Sequence, residues 1–100
     1  MTNEVQVIVY RVGAEPVLEK HPDTLATWQG IVGGYIEALG LPDGLLLICD
    51  EDGKAKRSPV NRVLVGVDTI VGDFFVVRSK GEEFADCKPQ DIEFLQWKLL

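Results

Sequence analysis

The chain has 100 residues, of which 46% are hydrophobic and 26% charged, so residues 1–100 are expected to form a single globular domain rather than a disordered segment. Sixteen acidic and ten basic residues give a net charge of −6, which argues against general nucleic-acid binding. The chain lacks an apolar run of about 18 residues and a signal-peptide pattern, so neither a membrane span nor export is predicted. Two cysteines in such a chain favour free thiols in a reducing cytoplasm.

The first half of the chain is predicted to contain three strands and one short helix. The strands are β-branched or alternate weakly between apolar and polar residues, and they cover residues 4–12, 17–20 and 35–39. A helix over residues 24–32 begins at a cap formed by Asp23 or Thr24. It ends at Gly33-Gly34, because glycine takes the left-handed conformation at a helix end without strain.

The middle of the chain is predicted to contain one central strand followed by a loop. The continuous apolar run at residues 45–49 is typical of a strand that is covered on both faces. Pro59 argues against another central strand in the region that follows, because proline cannot donate a ladder hydrogen bond. Residues 54–65 are therefore expected to form an ordered loop, with a helical turn at residues 61–64.

Near the C-terminus we expect one more strand, an acidic loop and a helix. Residues 69–78 are rich in β-branched and aromatic side chains, with a break or bulge at Gly72. Residues 81–86 form the acidic loop, and Pro89 suits the first turn of the closing helix. The order β-β-α-β-β-loop-β-α predicts an α+β fold with a mostly antiparallel sheet of about five strands and two short helices. Closure of this sheet into a barrel is left open.

Periodic placement on these elements predicts the hydrophobic core. The residues expected to face it are Val7, Val9, Leu25, Trp28, Ile31, Ile36, Leu46, Ile48, Phe75, Val77, Ile92 and Leu95. The last residues, Trp97, Leu99 and Leu100, carry more apolar surface than a chain end usually needs. Because exposed apolar patches often mark contacts, they predict self-association, in the first instance as a homodimer.

The residue inventory contains no recognisable catalytic or metal-binding set. His21 is the only histidine and lies in a turn-like stretch, where a surface position is expected. Cys49 ends an apolar run and is expected in the core, whereas Cys87 follows the acidic loop and could be exposed. Without a nucleotide, hydrolase or zinc motif, we predict no catalytic residue, no metal and no cofactor, and therefore no enzyme.

Glycines, an acid and a local cluster of basic residues form the candidate interaction site. Its members are Gly33, Gly34, Glu37, Lys54, Arg57, Asn61 and Arg62, with Lys56 in the same basic run. In a ligand site, Arg62 would lie at the base of a concavity beside Gly33-Gly34 and hold a carboxylate or phosphate through its planar fork. In a structural role, the glycines only end the helix, Arg62 pairs with Glu37, and Asn61 caps a turn. Both interpretations stay open at this point.

Several stretches resemble one family in their order along the chain. They are Val32-Gly33-Gly34-Tyr35-Ile36-Glu37, Asp50-Glu51-Asp52-Gly53-Lys54, Pro59-Val60-Asn61-Arg62 and Ile70-Val71-Gly72-Asp73-Phe74-Phe75. Together they resemble the DUF3846 family of domains of unknown function over most of the chain. The chain departs from the family at Asp50, where Asn is expected. The resemblance implies a small accessory protein of a bacteriophage, plasmid or other mobile element that works inside a bacterium, and it implies no activity.

Three functions follow as hypotheses. The first is a non-enzymatic protein that binds and inhibits or modulates a host macromolecule, including anti-defence or anti-CRISPR action, with its acidic surface against a basic face. The second is a binder that sequesters a small anion such as a nucleotide-type signal, held by Asn61, Arg62 and the basic run. The third is a small enzyme with Glu37 or Asp73 as acid or base, ranked last because no paired motif is present. The expected partner is thus a host protein or a small anionic ligand.

Overall fold

The computed structural model describes residues 3–100 as eight strands and two helices joined by short connections. In chain order these are β1 (Glu4–Tyr10), β2 (Val17–Pro22), α1 (Leu25–Val32), β3 (Ile36–Gly40), β4 (Leu45–Asp50), β5 (Val60–Leu64), β6 (Asp68–Val71), β7 (Phe74–Lys80), β8 (Glu83–Ala85) and α2 (Pro89–Leu95). A 3-10 turn at Pro42–Gly44 joins β3 to β4.

Six of the strands form a central sheet in which each paired neighbour is antiparallel. The strand order is β2-β1-β7-β4-β3, and the short β8 also pairs with β7. β5 and β6 form a second, two-stranded sheet, and the backbones of Val63 and Leu100 exchange two hydrogen bonds that add the last residues beside β5. The predicted α+β class with a mostly antiparallel sheet is therefore confirmed, and the central sheet stays open, with β2 and β3 as its edges.

The central sheet buries an apolar cluster on each face. On one face, Trp28 and Val32 lie four residues apart on α1 and therefore project together onto the sheet. The sheet residues under them are Val5, Val7, Val9, Ile48, Phe75 and Val77. On the opposite face, α2 and the β5–β6 sheet cover a cluster that includes Tyr10, Leu47, Phe74, Val76 and Leu95. Burial of each such side chain contributes about 1.5–3 kcal/mol, so both layers hold the same sheet in place.

Most of the predicted core residues are buried or packed against the core, and one prediction is wrong. The fully buried ones are Val7, Val9, Trp28, Ile48, Phe75, Val77 and Leu95. Partly buried residues packed against them are Ile31, Ile36, Leu46 and Ile92. Leu25 is 57% exposed, because it lies in the first turn of α1, where the helix meets a surface groove rather than the sheet.

The predicted loop over residues 54–65 is wrong in its second half. Residues from Val60 to Leu64 form β5, and Pro59 stands just before this strand, where a missing amide hydrogen costs no ladder bond. The strand predicted over residues 69–78 is interrupted at Gly72, as expected, but its two parts are separate strands, β6 and β7, which belong to different sheets. Gly72 separates them with a positive φ of 73°, a conformation that favours glycine.

The two other C-terminal predictions have mixed outcomes. The acidic loop at residues 81–86 contains β8, because a tight turn at Gly81 (φ 64°) returns the chain alongside β7. The apolar end of the chain is only partly buried. Leu99 is buried, whereas Trp97 and Leu100 are 77% and 67% exposed. Self-association through these exposed residues stays a prediction.

Candidate functional site

Gly33 and Gly34 end α1 and pack against the turn that follows β4. Gly33 is the left-handed cap of the helix, with a φ of 83°, and its amide donates to the carbonyl of Gln29 at 2.8 Å. At Gly34 an added Cβ would lie 2.6 Å from Oδ1 of Asp50 and 2.7 Å from Nζ of Lys56. The backbone conformation thus favours glycine at position 33, and a larger residue at position 34 would displace the Asp50 and Lys56 side chains.

A cation neutralises the end of α1 beside these glycines. Nζ of Lys56 donates to the carbonyl oxygen of Gly33 at 3.0 Å and to Oδ2 of Asp50 at 2.8 Å. The hydrogen bond from Lys56, opposed by partial desolvation and helped by the Asp52 amide, holds the pKa of Asp50 below its ordinary value. Because the C-terminal end of a helix carries partial negative charge, this place favours a cation and not an anion.

Asn61 has a structural role that the sequence left open. Its side chain is buried, and Nδ2 donates to the carbonyl oxygens of Tyr10 and Gly72, both at 2.8 Å. These two bonds join β5 to the end of β1 and to the link between β6 and β7. The buried amide therefore fixes the small sheet against the central sheet instead of facing a ligand.

Arg62 adopts neither of the two predicted arrangements. Its Nη1 donates to the backbone carbonyl and to Oδ1 of Asn61 at 2.9 and 3.0 Å, and its Nη2 donates to the carbonyl of Ala14 at 2.9 Å. The guanidinium also lies over the ring of Tyr10, 5.7 Å from its centroid. Glu37 instead accepts from the Cys49 thiol, whose Sγ lies 3.9 Å from its Oε2. Arg62 does not line the depressions beside Gly33 and Gly34, and it does not pair with Glu37, so both predicted positions of Arg62 are wrong.

The remaining cations of the candidate site point in separate directions. Lys54 pairs with Asp68 through Nζ and Oδ1 at 2.6 Å, and it lines a cleft of about 130 Å³ that Glu37 also lines. Arg57 is exposed in the turn, where its φ is 58°. Arg62 lines a different depression, of about 170 Å³. The structure therefore does not gather the basic residues into one anion site.

The two cysteine thiols are buried, and their raised pKa values make them unreactive. Desolvation, reinforced by the charge of Glu37, raises the pKa of the Cys49 thiol to about 11. Desolvation, reinforced by Asp91, raises the pKa of Cys87 to about 12, and its Sγ donates to the carbonyl of Val76 at 3.4 Å. Cys87 is therefore buried and not exposed, because β8 and the segment after it fold back over the sheet. A nucleophilic cysteine needs a lowered pKa, so neither thiol is suited to that role.

A larger concavity lies where the sequence predicted no site. A groove of about 650 Å³ runs between the start of β1, the first turn of α1 and β8. Its floor is apolar and includes Val5, Leu25, Trp28, Phe84 and Ala85. Its polar lining consists of Asn3 and five carboxylates, Glu4, Asp23, Glu82, Glu83 and Asp86, and no lysine, arginine or histidine lines it among the described residues.

Three of the five groove carboxylates have no partner within the part of the chain that the structure describes. Asp23 accepts from the indole Nε1 of Trp28 at 3.2 Å, and Asp86 accepts from the backbone amide of Gln6 at 2.8 Å. The side chains of Glu4, Glu82 and Glu83 form no hydrogen bond or ion pair with residues 3–100. We refer to this acid-lined, apolar-floored depression as the acidic groove.

Two features of the sequence contribute to the acidic groove, although neither predicts it by itself. The sequence predicts an acidic loop over residues 81–86 and a core position for Leu25. An apolar residue at the first turn of a short amphipathic helix can extend past the sheet that the helix covers, as Leu25 does. Only the return of β8 alongside β7 brings the acids next to that residue.

Residues 3–100 contain neither a cluster of metal ligands nor a membrane-spanning helix. No group of three or more His, Cys, Asp or Glu side chains in this range is arranged to hold a metal ion. None of the helices described is long and apolar enough to cross a membrane.

An open antiparallel sheet with a helix on one face and a helix and small sheet on the other defines a small α+β protein with one acid-lined groove. The chain belongs to the family described as Domain of unknown function (DUF3846), whose model matches residues 4–99. No curated protein and no solved structure matches the chain.

Proposed function

We propose that this protein is a non-enzymatic accessory protein of a phage or other mobile element that binds a basic surface of a host macromolecule in the bacterial cytoplasm and inhibits or modulates it. The observation that carries the proposal is the acidic groove. Its size, its exposed apolar floor at Leu25 and its partnerless carboxylates are what a contact with a partner's lysine or arginine side chains requires.

The chemistry of the groove selects the partner. Apolar floor area favours an aliphatic or aromatic anchor, and carboxylates at the rim favour cations around that anchor. Free carboxylates repel one another and nucleic-acid phosphates, so the occupant is a basic protein segment and not a nucleic acid. A basic face that normally holds nucleic acid is one such target, and blocking it would inhibit a defence system.

The alternative, sequestration of a nucleotide-type signal, has less support. It needs several cations that converge on one anion, whereas Lys54, Lys56 and Arg62 each contact acceptors of this chain. An enzymatic role for Asp73 has little support either, because Oδ1 of that carboxylate accepts from the Val12 amide at 2.9 Å. Each alternative would place the functional residues away from the acidic groove.

Capture from a bacterial lysate tests the proposal when groove variants are included. The immobilised proteins are the wild type, Glu82→Lys with Glu83→Lys, and a control with Glu51→Lys and Glu93→Lys, which makes the same charge change at exposed glutamates outside the groove. We expect a basic protein that the wild type and the control retain and the groove variant loses. Equal retention by all three proteins, or no retained basic protein, would overturn the proposal.

A further inference from the structure

β3 is an open edge of the central sheet. Its register with β4 is continued by backbone bonds from Glu51 to Tyr35 and from Leu41 to Leu45, both 2.9 Å. Odd-numbered residues of this strand therefore direct their amides and carbonyls toward β4, and the even-numbered ones direct theirs away from the sheet. The outward residues are Ile36, Ala38 and Gly40, and their backbone groups have no backbone partner among residues 3–100.

The other edge of the sheet, β2, is protected in the usual ways, and β3 is not. β2 carries Lys20 and ends at Pro22, and charge and proline both discourage strand addition. On β3 the outward positions Ala38 and Gly40 are exposed and small, and Glu37 is the strand's one charged residue. The strand thus offers a regular row of unpaired donors and acceptors that another strand can approach closely.

We propose that β3 pairs antiparallel with β3 of a second copy of this chain, about a twofold axis at Ala38. In this register Ala38 lies opposite itself, and Ile36 lies opposite Gly40 of the second copy on either side of the axis. Each of these pairs contributes two backbone hydrogen bonds, because all three residues direct their backbone groups outward. The two central sheets then continue as one sheet across the dimer axis.

In this register the side chains of β3 are complementary to those of an antiparallel second β3. The bulky Ile36 meets the glycine at position 40, and Glu37 lies opposite Leu39 instead of opposite the second Glu37. A register shifted by two residues would place the two Glu37 carboxylates directly opposite each other, which destabilises an antiparallel pair. Each chain carries a net charge of −6, so two copies repel each other overall. In this register of β3, no two like charges lie directly opposite each other.

Sedimentation velocity at high protein concentration tests the pairing with a matched pair of variants. Ala38→Lys places two lysines opposite each other at the axis, and Ala26→Lys makes the same substitution on the exposed side of α1. We expect the wild type and Ala26→Lys to sediment as dimers, and Ala38→Lys to sediment at the single-chain mass of 11.1 kDa with an unchanged circular dichroism spectrum. A monomeric wild type, or a dimer that Ala38→Lys leaves intact, would overturn the proposal.

Two further measurements cover the cases in which Ala38→Lys misfolds or another surface forms the dimer. Hydrogen exchange of the wild type should show amides of Ile36, Ala38 and Gly40 that become protected as concentration rises, while those of Glu37 and Leu39 stay protected throughout. Unprotected outward amides at concentrations where the protein is dimeric would refute the pairing. Loss of the dimer in Trp97→Ser, with Ala38→Lys still dimeric, would assign the interface to the C-terminal apolar residues instead.

Discussion

The acidic groove and the stretch from Lys54 to Arg62 both concentrate charge of one sign, but they differ in what those charges contact. In the basic stretch, Lys54 reaches Asp68, Lys56 reaches Asp50 and the end of α1, and Arg62 reaches three oxygen acceptors. In the groove, three carboxylates line an open volume of about 650 Å³ and have no cation partner among residues 3–100.

The difference separates charges that hold the fold from charges that are available to a partner. A charged group that already has hydrogen-bonded partners must lose them before it can bind a ligand, and that loss offsets the gain. A partnerless carboxylate beside exposed apolar surface has no such contact to give up. The cations of the basic stretch are therefore less available to a partner than the carboxylates of the acidic groove.

The largest loss in free energy of unfolding is expected for substitutions in the floor of the acidic groove. The ring of Trp28 is 3% exposed and lies 4.9 Å from the ring of Phe75 and 5.8 Å from that of Phe84, between centroids. We expect Trp28→Ala to lower the free energy of unfolding by about 3–5 kcal/mol in urea denaturation. The matched control is Trp97→Ala, expected within about 0.5 kcal/mol of the wild type because that ring is exposed. Equal losses for the two variants would contradict this packing.

Asn61 should be the next most sensitive position, as the buried residue of the basic stretch. Asn61→Ala leaves the carbonyls of Tyr10 and Gly72 without their donors, so we expect a loss of about 1–3 kcal/mol in the same denaturation experiment. Asn61→Asp supplies no donor in its ionised form and should destabilise the protein as well. Unchanged stability in both variants would mean that this amide is free to serve a ligand.

Arg62 tests the comparison directly, because the fold and the ligand hypotheses predict different results for it. Its bonds to Asn61 and Ala14 are internal, so Arg62→Ala should lower the melting temperature, through a loss of about 0.5–1.5 kcal/mol. A thermal-shift series with nucleotides should show no stabilisation of either protein. If the variant kept its melting temperature and the wild type alone were stabilised by a nucleotide, the small-anion hypothesis would replace the present account.

The ion pair between Asp50 and Lys56 predicts a dependence of stability on pH. The Lys56 hydrogen bond keeps the folded pKa of Asp50 below the ordinary 3.8 of the unfolded chain. The contribution of this ion pair to the free energy of unfolding is therefore fully present above the unfolded pKa. It is lost as the pH falls through the lower pKa of the folded state. Asp50→Asn should lose less stability than the wild type between pH 6 and pH 3, measured by urea denaturation. A steeper loss in the variant would show that the sign is wrong.

The groove carboxylates should matter least to stability. Glu82 and Glu83 form no ion pair with the residues that the structure describes, so Glu82→Gln with Glu83→Gln should stay within about 0.5 kcal/mol of the wild type. Calorimetric melting of the two proteins side by side checks this expectation. A loss as large as that of Asn61→Ala would place these acids among the groups that hold the fold.

The regular elements could be predicted from local patterns, since alternation, an N-cap at Thr24 and a Gly33 end are properties of short stretches. Thr24 does accept the amide of Thr27, at 3.2 Å. The wrong predictions concern segments whose structure depends on pairing with other strands. β5 is a strand because it pairs with β6 on one side and with the last residues of the chain on the other. The second partner is distant in sequence, since Leu64 pairs with Leu99.

The candidate site failed for the same reason. Gly33, Gly34, Asn61 and Arg62 were recognisable as a set, but their partners are the carbonyls of Tyr10, Ala14 and Gly72 and the Asp50–Lys56 pair. Backbone carbonyls leave no trace in residue types, so spacing could not distinguish a ligand-binding cluster from a structural one.

The proposed binding of a basic segment with an apolar anchor in the acidic groove can be tested most directly by NMR. A peptide is titrated into the protein, and the shifts of the protein's backbone amide and tryptophan indole resonances are followed. The probe is a twelve-residue peptide of alternating lysine and leucine, and its counterpart has glutamate in place of lysine. The lysine peptide should shift the resonances of Leu25, Glu83, Phe84 and the Trp28 indole, and the glutamate peptide should shift none of them. Shifts confined to the stretch from Lys54 to Arg62, or equal shifts with both peptides, would contradict the account.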